Sequence, residues 1–157
     1  MRLAPALAVL ASASVAAAQC SWSSVSVSSY GQGCNAAFPN QPLSVGASLD
    51  ASQCRLDIDV TAFPGCCNAF LVGNVLVLGF SQVSLPAPNL GPGCTLLASP
   101  DLLIYQPGSV GGTFQLQFQN VSLPPVTLYA QAAGLYFTSF GVSFDWAASA
   151  GARIDLQ

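Results

Sequence analysis

The side chains able to do chemistry here are few. The charged set is Arg2, Arg55, Arg153, Asp50, Asp57, Asp59, Asp101, Asp145 and Asp155, and the 157-residue chain contains no Lys, Glu or His. Asp57 and Asp59 stand two apart, so on a strand both carboxylates project from one face. Such a pair could divide general acid and general base work, or hold Ca²⁺ with help from Asp50. Neighbouring carboxylates also raise one another's proton affinity. The simpler reading is a solvated outer face that keeps an apolar protein in solution, and no EF-hand spacing surrounds the pair.

The same inventory excludes more than it offers. Without histidine there is no Ser-His-Asp or Cys-His catalysis and no histidine metal site. Ser21 to Ser29 lack a base to activate them. Without lysine there is no phosphate-loop lysine, and a pI near 4.1 leaves no basic patch for nucleic acid. No enzyme activity, no cofactor and no metal are therefore expected.

The six cysteines, Cys20, Cys34, Cys54, Cys66, Cys67 and Cys94, set the compartment. Arg2 precedes an apolar, Ala-rich run that ends in Ala16-Ala17-Ala18, as an export signal does, with cleavage expected after Ala18. Residues 1–18 are then the signal peptide and 19–157 a single secreted domain. Gln19 before Cys20 argues against lipid attachment, which wants a small residue there. An even cysteine count in an exported chain implies disulfides, and sequence alone does not choose the partners. Adjacent Cys66 and Cys67 are expected to bond elsewhere rather than to each other. Paired C-x-x-C knuckles are missing, so zinc is not expected. The most apolar stretch, Ala69 to Phe80, is short and carries Gly73, Asn74 and Gly79, so no membrane span is expected in the mature chain. The cysteines likewise disfavour an outer-membrane barrel, and the expected location is secreted or cell surface.

The elements that position these groups read as short strands separated by Gly, Pro and Asn. In Thr113–Val121, Phe114, Leu116 and Phe118 alternate with Gln115, Gln117 and Gln119. In Val126–Ala133, Leu128, Ala130 and Ala132 alternate with Tyr129 and Gln131. Pairing these two as a hairpin sets Phe118 opposite Ala130, Gln117 opposite Gln131 and Gln119 opposite Tyr129. Val25 and Val27 alternate with serines, and Leu56, Ile58 and Val60 alternate with Asp57 and Asp59. Ala69–Leu78 reads as a central strand covered on both faces. Leu102–Tyr105, Val142-Phe144-Trp146 and Ile154-Leu156 complete about eight strands, and mid-chain prolines argue against helices. The expected architecture is all-β: an antiparallel β-sandwich, jelly-roll or immunoglobulin-like, stapled by disulfides. Parity places Trp146 in the core with Val142 and Phe144, and leaves Trp22 with the serines on an open face. Asp145 and Arg153 are expected to pair across neighbouring strands.

Tyr30-Gly31-Gln32-Gly33-Cys34, then Leu85-Pro86 with Asn89-Leu90-Gly91-Pro92-Gly93-Cys94-Thr95-Leu96 and Ser99-Pro100-Asp101, then Leu128-Tyr129-Ala130-Gln131, follow one another in order. This series resembles the YGxGC, LGxPGCxLxxSPD and YxQ pattern of small secreted β-sandwich modules of the planctomycete type. The resemblance implies an exported domain without an assigned catalytic site, and a Cys34–Cys94 bridge. Cys20, Cys54, Cys66 and Cys67 are additions to that pattern, and the aromatic-rich Gly134–Phe140 departs from it.

Two functions fit. The first is a structural or interaction module of the cell surface or extracellular space, with an extracellular protein or glycan as its partner. The second is a carbohydrate-binding module using Tyr129, Gln131, Gln115, Gln117 and Gln119 as an uncharged face, amides meeting hydroxyls and the ring stacking on the sugar.

Overall fold

A computed structural model describes residues 20–35, 43–61, 69–108, 112–118, 123–138 and 143–157. In chain order the strands are β1 (Val25–Tyr30), β2 (Cys34–Asn35), β3 (Ser44–Asp50), β4 (Arg55–Thr61), β5 (Ala69–Gly79), β6 (Gln82–Pro86), β7 (Thr95–Ala98), β8 (Leu102–Pro107), β9 (Gly112–Gln117), β10 (Val126–Thr138), β11 (Ser143–Ala148) and β12 (Gly151–Leu156). A single 3₁₀ turn, Pro88–Leu90, is the only helical element among the described residues. The all-β antiparallel architecture expected from the alternating patterns is the one observed.

The layers follow from those patterns. In β4, Leu56, Ile58 and Val60 are buried while Asp57 and Asp59 face outward, and β3-β4-β9 form one sheet. The large sheet is built on β10. Along one flank β10 pairs with β12 and then β11, and along the other with β5, which pairs in turn with β8. Leu76, Leu78, Ala130, Ala132, Ile154 and Leu156 of this sheet meet Leu56, Ile58, Val60 and Phe114 of the small one in a common core. Burying such branched side chains stabilises the fold by about 1.5–3 kcal/mol each. The β6–β7 hairpin lies on the far side of the large sheet, against β10 and β5.

Two disulfides close the layers. Cys20–Cys54 ties the chain before β1 to the turn between β3 and β4, and Cys34–Cys94 ties β2 to the segment before β7. The second is the bridge that the resemblance implies. Cys66 and Cys67 lie outside the described residues.

Four expectations are corrected. The strand holding Phe114 and Leu116 does not pair with the Val126–Ala133 strand; Phe114 sits opposite Ile58 and Leu116 opposite Leu56 of β4. A period of two fixes which face a strand buries but not which strand it joins. Both candidate partners alternate equally well, and β9 belongs to the small sheet whereas β10 belongs to the large one. Trp22 is not on an open face: it is buried, edge-on to Phe118, and its indole N–H donates to the Pro124 carbonyl at 3.0 Å. Trp146 is only half-buried and shares its face with exposed Phe144, while Ala147 takes the core position. Arg153 pairs with Asp155, two residues along β12, rather than with Asp145, because β11 and β12 lie end to end along β10.

Candidate functional site

The four described residues of the expected sugar-binding face, Gln115, Gln117, Tyr129 and Gln131, are not brought together. Gln115 and Gln117 are exposed on β9 in the small sheet. Tyr129 is half-buried on the large sheet, edge-on to Tyr30 at 5.9 Å. Gln131 is buried, and Gln119 lies outside the described residues. The Gln131 side chain does leave the face that packs on the small sheet, as its parity requires, but the β6–β7 hairpin covers it.

Asp57 and Asp59 do share an outer face, and each has a partner. Arg55 donates from Nε to Asp57 at 2.9 Å and approaches Asp50 at 3.8 Å. Asp59 accepts the Thr113 hydroxyl at 2.6 Å. Ser52 and the backbone of the same turn hold the Asp50 carboxyl below its ordinary value, the Ser52 hydroxyl contributing most. No cluster of three or more Cys, Asp or Glu capable of holding a metal occurs among the described residues.

The residues of the ordered motifs clamp the hairpin to the sheet. The Tyr30 hydroxyl donates to the Leu97 carbonyl at 2.7 Å. Gly31 follows at φ +63°, and a Cβ there would come within 2.8 Å of the Leu97 side chain. Gln131 accepts from the Leu97 amide at 2.9 Å and donates to the carbonyls of Thr95 and Ser149, each at 3.0 Å. Ser149 sits in a bulge where Ala148 pairs with Ala133 but Ala152 pairs with Ala130, one residue out of step. Ser99 donates to Asp101 at 2.8 Å, and Asp101 also accepts the Phe80 amide at 2.9 Å. That amide, then the Ser99 hydroxyl, holds the Asp101 carboxyl below its ordinary value. Tyr30, Gln131, Ser99 and Asp101 are thus engaged in holding the neighbouring segments together.

What remains open is one flank of the sandwich. Among the described residues β8 pairs only with β5 and β9 only with β4, so each is a sheet edge. The two edges meet at one end, where a Cβ on Gly112 would strike the Gln106 amide, and splay apart toward Leu102 and Gln117. A cleft of about 330 Å³ opens in the splay, lined chiefly by Leu78, Phe80, Leu102, Leu116, Phe118 and Leu128. A second hollow of about 250 Å³ continues it past Phe80, Phe118 and Leu128 to Trp22, Leu123 and Val126. Beside the cleft, β8 turns Leu103 (61% exposed) and Tyr105 (63% exposed) to solvent on the sheet's outer face.

Sequence reasoning missed this flank. The signal was present in Leu102-Leu103-Ile104-Tyr105, which is apolar on both faces although Asp101 and Pro107 bracket it. A strand buried on both sides and an edge strand with an apolar outer face give the same run of letters. Comparison with family models, curated proteins and solved structures finds no match to this chain.

Proposed function

We propose that the chain is an exported, non-catalytic interaction module, of the planctomycete-type group that its motifs resemble. It docks an extended segment of an extracellular protein along β8. The observation that carries this reading is a strand with one edge unpaired among the described residues, its Leu102, Leu103 and Tyr105 all at least 48% exposed and without charge. Edge strands are ordinarily blunted by lysine, by an inward charge or by a covering loop. Here no charged residue occurs from Leu102 to Phe144. Added strands gain affinity from main-chain hydrogen bonds and specificity from alternate side chains, which on β8 are Leu103 and Tyr105. Two disulfides in the fold fit an oxidising compartment, in keeping with the export signal expected at residues 1–18. Sugar binding has less support, because its four described residues do not share one surface and the cleft is lined chiefly by aliphatic and aromatic side chains.

Site-specific photo-crosslinking tests the proposal. A benzoylphenylalanine placed at Tyr105 in the producing cell should give discrete adducts with a second protein, and the same group at Ser48, on the small sheet, should not. Equal labelling from both sites, or none from Tyr105, would overturn it.

A further inference from the structure

The cleft between the β8 and β9 edges has a chemistry distinct from the outer face of β8. Its two hollows share Phe80, Phe118 and Leu128, so they adjoin and together line an apolar channel with Leu102 at one end and Trp22 at the other. The first hollow alone falls at the lower end of the range for small-molecule sites, roughly 300–1,000 Å³. A ligand filling both must be elongated and almost wholly apolar. Charge narrows the class further. Among the described lining residues there is no Arg, and Asp101 is the ionised group, its carboxylate favoured by hydrogen bonds from the Phe80 amide and Ser99. An anionic headgroup would meet that carboxylate with no cation to offset the repulsion. Gln115 and Gln117 border the same cleft and bring no charge to it, and the Asp101 carboxylate can accept from a hydroxyl.

We propose that this channel is a binding site for a neutral, long-chain apolar molecule, its alkyl chain reaching toward Trp22 and an uncharged polar end at the Asp101–Gln117 mouth. The site borders the docking edge and shares Leu102 with it, but the specificity residues Leu103 and Tyr105 line neither hollow.

The test uses the whole secreted chain with Trp146→Phe, so that Trp22 is the sole indole. N-phenylnaphthylamine, an uncharged fluorophore, should bind saturably and quench Trp22 by energy transfer. Dodecanol should displace it, while dodecanoate at pH 8 should compete at least about tenfold more weakly. Leu102→Trp, which fills the mouth, should abolish probe binding, and Leu103→Lys should leave it unchanged. Non-saturable binding, saturable binding without quenching of Trp22, or equal competition by dodecanoate would overturn the assignment. Because the quenching and competition readouts need no substitution in the channel, a poorly folding Leu102→Trp would not shield the proposal. Loss of Tyr105 crosslinking with retained probe binding would sink the docking reading alone.

Discussion

At Tyr30 a phenol is used as a clamp. Burial, with the neighbouring Tyr129 phenol adding to it, pushes the Tyr30 hydroxyl up from 10.0 to about 12. The neutral form donates to Leu97, so the folded state binds this proton more tightly than the unfolded chain does. Its contribution is therefore complete below pH 10 and is lost as pH rises from there through 12. Tyr30→Phe should lose about 1 kcal/mol at pH 7. It should also flatten the alkaline limb of a denaturant-derived stability profile between pH 10 and 12. An unchanged alkaline limb would show that Tyr30 is not the titrating clamp. The opposite sign holds at Asp101, whose lowered value adds stability above the ordinary carboxylate range and withdraws it as pH falls through the folded value.

At the scale of elements, the decisive contact is a glutamine that joins three pieces of backbone. Gln131 links β7, through Thr95 and Leu97, to the bulge at Ser149 between β11 and β12. Gln131→Leu keeps the volume but strands a buried amide and two carbonyls, and each such group costs about 1–3 kcal/mol. A loss of roughly 3 kcal/mol is expected by chemical denaturation, together with faster hydrogen exchange confined to β6 and β7. Much of this level was legible beforehand. Alternation placed Leu56, Ile58, Val60, Phe114 and Ala130 correctly in the core. It failed at Gln131 and Trp22 for one reason: a period-two pattern tells which side of a strand a residue occupies, whereas a third layer or a flanking segment decides what covers that side. The Phe80–Leu102 flank escaped notice because exposure of an apolar strand is set by its place in the sheet, which the local letters do not carry.

For the whole molecule, the two cross-links among the described residues and a shared core hold three layers, with the motif residues engaged in that architecture. Cys34 and Cys94 are 60 residues apart, so the loop-entropy argument gives their bridge a contribution of about 4 kcal/mol. A Cys34→Ala, Cys94→Ala double variant should lower the denaturation midpoint accordingly, and a change below about 1 kcal/mol would mean that the hairpin holds without it. The division of labour between architecture and contact is the central claim. It is tested most directly by measuring melting temperature and Tyr105 adduct yield side by side for Leu103→Lys and Gln131→Leu. Leu103→Lys should melt like the parent yet lose its adducts, while Gln131→Leu should melt markedly lower. Full adduct yield in Leu103→Lys would contradict it.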